Sequence, residues 1–342
     1  MVQFSIGALW QRLTGVYRRQ VKRAHDFLQR RPHRSFRRTL RRDLPKHPRL
    51  PGYLSFTRYS VRTIWAHKRT FALLLLLYVV VHTLLVGMAS QSQYADLADT
   101  LTSEAPGIFG GNFGAFEQTA TLFLSAVTGS LNNPLGEVQQ LYLALLGIFG
   151  WLAVVWYLRQ RMNDNPVSVR DTLYNSGAPF LSTLVVVVLI LLQALPAVIA
   201  VIAYASALNA GALQGGVESM MFAVAAGLLV ILSLYWMTSS FFAALIVTIP
   251  GTYPMRAVRM AGDIVLGRRL SVMFRLLWLV LLLLVWWALL LIPAIILSDK
   301  ISVEWLPFVP LTMQVLSASS VLFSAAYIYL LYRKMIDEPA AS

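Results

Sequence analysis

The sequence contains no cysteine, which excludes disulfide bonds, thiolate metal sites and cysteine nucleophiles. Charged residues are also scarce: Asp, Glu, Lys and Arg make up 13% of the 342 residues, while hydrophobic residues make up 57%. A soluble globular chain carries roughly a quarter of charged residues. The composition therefore indicates an integral membrane protein.

Six apolar segments have no Asp, Glu, Lys or Arg in their interior and are long enough to cross a bilayer, which takes roughly 20 helical residues. They cover about residues 71–88, 140–158, 180–204, 220–249, 276–297 and 307–332. The sequence predicts an all-α polytopic membrane protein with six transmembrane helices in hairpins. We divide it into a head (1–70), a six-helix domain (71–332) and a tail (333–342).

Basic residues are distributed unevenly between the connecting segments. Of the 29 Lys and Arg, 28 lie in segments 1–70, 159–179 and 250–275 or in the tail, whereas loops 89–139, 205–219 and 298–306 contain only Lys300. Because cytoplasmic flanks retain Lys and Arg, both termini are predicted to be cytoplasmic.

The head holds 18 basic and 2 acidic residues. Apolar residues recur every three or four positions between Ile6 and Leu28, which predicts a basic amphipathic helix, and prolines predict an extended hinge at 43–55. Anionic lipid is the favoured partner, with RNA, ribosome or an acidic protein as alternatives. The predicted headgroup contacts in this segment are Arg18, Arg19, Lys22, Arg23, Arg37, Arg38, Arg41 and Arg42.

In the long loop 89–139, residues 120–127 are predicted to form a short interfacial helix.

A repeat is predicted inside the membrane domain. Residues 168–170 (Ser-Val-Arg), 257–259 (Ala-Val-Arg) and 60–62 (Ser-Val-Arg) each open or occupy a half-apolar segment before a pair of spans. Such a segment predicts a cytoplasmic interfacial elbow helix whose arginine reaches lipid phosphates. Two further matches, Leu-Pro-Ala-Val-Ile at 195–199 and Ile-Pro-Ala-Ile-Ile at 292–296, are predicted near the outer ends of their spans. The predicted headgroup contacts of the elbows are Arg170, Arg259, Arg268 and Arg269.

The stretch 241–282 carries Val-Thr-Ile-Pro-Gly at 247–251 and Gly-Arg-Arg at 267–269, before a Leu-rich span. With the elbow at 165–170, it resembles bacterial six-span proteins similar to the membrane domain of glycerophosphoryl diester phosphodiesterases and the YciC-like uncharacterised family. The resemblance covers about residues 140–332 and implies a six-span fold and a location in the bacterial cytoplasmic (inner) membrane. No phosphodiesterase catalytic domain is attached, and the basic head departs from the family pattern.

Catalytic patterns are lacking. No phosphate-binding Gly-Lys loop, serine-nucleophile elbow or His-Glu-x-x-His motif occurs, and His82 stands alone in the first span. The carboxylates Asp164, Asp171 and Asp263 are close in sequence to arginines and are interpreted as structural ion pairs. We therefore predict no enzymatic activity, no metal and no cofactor.

Polar residues within the spans predict either helix packing or a cavity, and packing is favoured because hydroxyl groups commonly join membrane helices. Residues 314–327 show polar side chains at spacings of 3, 3, 4 and 3, interpreted as one helical face. The candidates are Gln193, Tyr235, Ser239, Gln314, Ser317, Ser320, Ser324 and Tyr327.

The first functional hypothesis is a non-enzymatic scaffold or adaptor that binds anionic lipid and a protein partner. The alternative is a transport or lipid-handling protein with a polar-lined cavity between spans three, four and six.

Overall fold

The computed structural model describes residues 51–87, 136–209, 216–300 and 307–336, and this part of the chain contains helices and no strand. The helices are α1 (Tyr53–Ala66), α2 (Lys68–Leu85), α3 (Glu137–Arg161), α4 (Val169–Ser176), α5 (Phe180–Asn209), α6 (Gly216–Ile246), α7 (Pro254–Val265), α8 (Arg269–Lys300) and α9 (Phe308–Ile336). Helices α2, α3, α5, α6, α8 and α9 are long and apolar enough to cross a membrane. The predicted all-α, six-span architecture is confirmed.

The spans begin and end within a few residues of the predicted positions, apart from the start of α8. This helix begins at Arg269, seven residues before the predicted 276, and so includes Arg275. A prediction from hydropathy ends a span at the first charged residue. The backbone hydrogen bonds of the helix continue past that residue, and the arginine side chain binds partners inside the protein.

The order of the helices confirms three units, each a short helix followed by two spans. We call α1, α4 and α7 the elbow helices, and the end of the bundle where they lie the elbow end. Each elbow helix buries a side chain eight residues before its span begins, namely Ser60, Thr172 and Ala261. Burial therefore defines a common register for the three units.

That register corrects one part of the predicted repeat. It pairs Arg170 with Arg259, as predicted, but it pairs both with Arg58 rather than Arg62. The Ser-Val-Arg triplet at 60–62 lies one helical turn later than its counterparts. A short sequence match does not fix which face of a helix is buried, whereas the packing of α1 does.

The two Pro-containing matches are not equivalent either. Pro196 lies 16 residues after the start of α5, near the middle of that helix, and Pro293 lies 24 residues after the start of α8. Eight residues of α-helix correspond to about 12 Å along the axis. The prediction that both prolines lie near the outer ends of their spans is therefore wrong for Pro196.

Helix α9 is the centre of the bundle and packs against α1, α2, α3, α6 and α8. In the most apolar stretch of α9, 56% of the residues are buried, compared with 11% in α5 and 6% in α6. Small side chains at Ala318, Ala325 and Ala326 let neighbouring helices approach closely. Helices α5 and α6 pack mainly on each other and leave most of their apolar surface to lipid.

The compact unit that contains the spans begins at Pro51. Helix α1, which the sequence assigned to the head, belongs to this unit, because the fully buried ring of Phe56 packs edge-on against Tyr327 of α9 at 4.8 Å. The predicted helix between residues 6 and 28, the eight headgroup contacts at residues 18–42, the hinge as far as residue 50 and the loop 89–135 lie outside the described residues. The prediction that the extended hinge continues to residue 55 is wrong, because α1 begins at Tyr53.

Candidate lipid-contacting site

Arg275, near the start of α8, is the most deeply buried charge among the described residues, with 6% of its surface exposed. Its Nη2 donates to the carbonyl oxygen of Pro51 at 2.7 Å, and its guanidinium lies over the ring of Tyr53 at 5.1 Å. Its Nε and Nη1 have no hydrogen-bond partner in the described chain. This arginine fastens α1 to α8 through neutral groups.

Two further arginines join helices at the elbow end in the same way. Arg159, at the end of α3, donates to both the carbonyl oxygen of Thr248, at 2.8 Å, and its hydroxyl. Arg269 donates to the hydroxyl of Ser239 at 3.0 Å and stacks over the ring of Tyr235 at 4.5 Å. Ser239 and Tyr235, which were candidates for helix packing or for a cavity, are therefore partners of an arginine.

Carboxylates of the described residues do not neutralise these charges. Across the described residues, no ion pair joins a carboxylate to Arg159, Arg268, Arg269 or Arg275. The predicted ion pairing of the elbow carboxylates is likewise not observed there, and Asp171 instead caps α4.

The cap consists of reciprocal bonds between Asp171 and Ser168. The Ser168 hydroxyl donates to Asp171 Oδ2 at 2.6 Å and accepts from the Asp171 backbone N–H at 3.2 Å. The bonds that Asp171 Oδ2 accepts from the Ser168 hydroxyl and from the Ser168 backbone N–H lower the pKa of Asp171 below its usual value, with a smaller contribution from Arg170. The carboxylate is thus occupied within its own helix.

The elbow helices carry exposed arginines at equivalent positions. Arg58, Arg170 and Arg259 each lie two residues before the buried side chain that defines the register, and all three are exposed. Two residues of α-helix turn by about 200°, so these side chains point away from the core. Arg170 and Arg259 were predicted as headgroup contacts. Arg58 was missed because the triplet match shifted the first repeat by one turn.

Large apolar side chains are exposed on the same helices. Leu54 of α1, Tyr174 of α4 and Met255 of α7 are 72%, 87% and 71% exposed. A helix that combines exposed apolar groups with arginines suits the boundary between headgroups and acyl chains. Arg268, predicted as a contact, is half-buried, and its Nε and Nη1 have no partner within the described ranges.

The predicted polar face of α9 is divided among different neighbours. The spacings of 3, 3, 4 and 3 residues do not add up to whole helical turns. Tyr327 is therefore rotated by about 140° around the helix axis relative to Gln314. Gln314 contacts the end of α2, where it accepts from the Thr83 hydroxyl at 2.8 Å and donates to the Gly87 carbonyl at 3.0 Å. Ser320 accepts from Trp287 Nε1 of α8 at 2.9 Å.

The remaining members of this set also show no common cavity. Tyr327 is fully buried against α1, and its hydroxyl has no hydrogen-bond partner among the described groups. Ser317 and Ser324 are half-buried. The prediction of a single polar face is therefore wrong, because the polar residues of α9 point toward different neighbouring helices.

Gln193 joins α5 to α6. Its backbone carbonyl accepts from the hydroxyl of Ser233 at 2.6 Å, and its side-chain oxygen accepts from Ser240 at 2.7 Å. Pro196, one turn further on, cannot donate to the preceding turn, and hydroxyl groups of a neighbouring helix commonly satisfy carbonyls near such a break. Gln193 therefore serves helix packing.

A cleft of about 460 Å³ lies between α2, α3, α4 and α9. Its floor includes Leu74, Tyr78 and Ala153, which are 4%, 4% and 3% exposed, and its rims include Leu77 and Leu173. The volume is in the roughly 300–1,000 Å³ range of small-ligand sites. This apolar cleft lies between spans one, two and six, whereas the predicted cavity lay between spans three, four and six.

Histidine and carboxylate side chains are spread over the described ranges rather than clustered. No group of three or more His, Asp or Glu residues there could hold a metal ion. The ring of His82 lies 6.3 Å from that of Tyr78. Outside the spans, burial lowers the pKa of His67, and the positive charge of Arg161 lowers it further.

Comparison with protein-family models, with curated proteins and with solved structures gives no match to this chain. The resemblance to the six-span phosphodiesterase membrane domain therefore stays a prediction. The chain is an integral membrane protein with six apolar helices.

Proposed function

We propose that the protein is a non-enzymatic membrane scaffold whose elbow end binds the phosphate groups of anionic lipids. The observation that carries this proposal is the repeated arginine of the elbow helices. Arg58, Arg170 and Arg259 are exposed, lie at one register position in three units and share their helices with exposed apolar side chains. The basic head adds charge of the same sign.

The energy available to this contact follows from the number of charges. Each Lys or Arg near an anionic membrane surface contributes about 1 kcal/mol. Each of the three arginines therefore favours an anionic headgroup at its own position by about 1 kcal/mol, or about fivefold. A guanidinium can also bind two phosphate oxygens through a planar pair of N–H donors, whereas an ammonium group acts as a point charge.

The test is the lipid selectivity of the full-length protein in vesicles that contain phosphatidylglycerol and phosphatidylcholine. A triple variant, Arg58→Gln, Arg170→Gln and Arg259→Gln, should show a weaker preference for spin-labelled phosphatidylglycerol in electron spin resonance, with the basic head responsible for the preference that remains. The matched control changes the same three residues to Lys and should keep most of the preference, because the charge remains. Unchanged selectivity in the Gln variant would exclude the elbow arginines as the lipid contact.

The same proposal requires the elbow end to face the cytoplasm. Because the chain has no cysteine, single cysteines report sidedness directly. Tyr174→Cys on α4 should react with a membrane-impermeant maleimide from the cytoplasmic side alone, and Glu137→Cys at the opposite end of the bundle from the outside alone. The reverse pattern would contradict the orientation.

The alternative, a carrier with a polar cavity between spans three, four and six, receives less support. Gln193 and Ser239, two of the residues expected to line that cavity, are engaged in contacts between helices and with Arg269. A carrier would also lose transport when Ser317 and Ser320 are changed to Leu, whereas a scaffold would change only in stability.

A further inference from the structure

The cleft between α2, α3, α4 and α9 has the shape of a groove rather than of a closed cavity. Leu74 and Tyr78 form a buried floor, while Leu77, Phe149 and Leu173, at 38%, 44% and 42% exposure, form rims that reach the surface. The side chains that line it are hydrocarbon, apart from the hydroxyl groups of two tyrosines and one serine. Such a groove opens toward lipid and offers an entering ligand almost no polar partner.

The length of the groove matches one leaflet of a bilayer. Along α2 it runs from Leu74 to Leu85, which is 11 residues, or about 16 Å at 1.5 Å per residue. Half of a hydrocarbon core about 30 Å thick is about 15 Å. Leu74 lies six residues, or about 9 Å, after the start of α2, so an acyl chain whose headgroup is at the elbow helix α4 enters the groove from its elbow side.

The elbow end of the groove is positively charged. Leu173 of α4 lines it, and Arg170 lies three residues earlier, so both side chains are on the same face of that helix. Lys68 and Arg69 begin α2 on the same side and are exposed. Asp171 is occupied by Ser168. A phosphate at this end would meet arginine and lysine.

We propose that one acyl chain of an anionic phospholipid occupies this groove, with its phosphate at Arg170. This inference deepens the proposed function, on which it rests for the headgroup. The surrounding lipid tails are as apolar as the groove, so retention depends on close packing against a concave surface together with the charge at the elbow. The occupant is thus a retained lipid, distinct from the lipid that exchanges around the bundle.

The test compares two neighbouring leucines of α2 in the full chain. Leu77 lines the groove, whereas Leu76 is 59% exposed and does not line it. The proteins are reconstituted in vesicles of phosphatidylglycerol and phosphatidylcholine, re-extracted in detergent, and weighed with their bound lipid by native mass spectrometry. We expect about one retained phospholipid for the unchanged protein and for Leu76→Trp. For Leu77→Trp we expect about a tenfold loss, because the indole displaces methylene groups from the groove.

A second measurement locates the lipid. Phosphatidylglycerol with a diazirine in one acyl chain should, after re-extraction and irradiation, modify α2 and α3 more than the lipid-facing surface of α5. If Leu77→Trp does not fold, Leu146→Trp, which enters the groove from α3, should give the same loss.

The possible results separate the two proposals. Three results would overturn the groove assignment. The Leu76 and Leu77 variants could retain equal amounts of lipid, α5 could carry as many adducts as α2 and α3, or the retained mass could equal that of a free fatty acid. A lipid lost from Leu77→Trp without any preference for phosphatidylglycerol would support the groove and contradict the anionic headgroup site. If Leu77→Trp still retained lipid and still preferred phosphatidylglycerol, that result would support the anionic headgroup site and contradict the groove.

Discussion

Gly150 of α3 is the position at which one added methyl group should have the clearest effect on the bundle. A Cβ there would lie 3.1 and 3.2 Å from two ring carbons of Tyr78 and 3.3 Å from Cγ1 of Val321. These distances are shorter than ordinary contacts, and the Tyr78 ring, 4% exposed, is held in the floor of the groove. Overpacking of this kind costs about 1–3 kcal/mol.

The matched control is Gly147, one turn earlier on the same helix, where an added Cβ meets nothing within 4 Å. Replacement of glycine by alanine in a helix favours folding by up to about 1 kcal/mol at either position. We therefore expect Gly147→Ala to be neutral or stabilising. Gly150→Ala should be less stable than Gly147→Ala by about 1–3 kcal/mol, since only it carries the cost of overpacking.

The assay is reversible unfolding in mixed micelles, followed by tryptophan fluorescence, with both variants measured under identical conditions. Equal free energies of unfolding would refute the close contact of α2 with α3 at Tyr78. The lipid retained by Gly150→Ala provides a second readout, because a displaced Tyr78 ring changes the floor of the groove.

Three other changes have defined expectations. Gln193→Leu removes the acceptor of the Ser240 hydroxyl and should destabilise the protein by about 0.6–1.7 kcal/mol in the same unfolding assay, while no change would argue against a bond between α5 and α6. Gln314→Leu removes two hydrogen bonds at the end of α2 and should accelerate amide hydrogen exchange there more than in α5. His67 has a lowered pKa in the folded protein because of burial and Arg161, so its contribution to stability is present above the unfolded pKa of about 6.5 and is lost as the pH falls through the folded value. His67→Gln should therefore reduce the loss of stability between about pH 7 and pH 5, and an unchanged pH dependence would exclude this histidine as its source.

Sequence patterns predicted part of the candidate site. Arg170 and Arg259 could be recognised because a short motif precedes each pair of spans. Arg159 and Arg275 were recognised only as markers of orientation, since their partners are a threonine and a backbone carbonyl that lie far away in sequence. Arg58 needed the burial register of α1, which no local motif reveals.

The groove had no signal in the sequence. Its lining residues are leucines, tyrosines and other side chains that are typical of any membrane helix. Their separation across α2, α3, α4 and α9 depends on how far those helices stand apart. The glycine at position 150 and the small side chain of Ala153 became informative only when their neighbours were known.

The amino-acid sequence by itself determined the six spans, the helical class, the three units and the arginine-rich connections. Those features depend on local quantities: apolar length against bilayer thickness, and the position of charge relative to apolar runs. Tertiary structure decided which faces are buried, because the angular drift of α9 distributes Gln314, Ser320 and Tyr327 over three neighbours. It also decided which arginines are held by neutral partners and where a groove remains open, since both depend on contacts between segments that are distant in the chain.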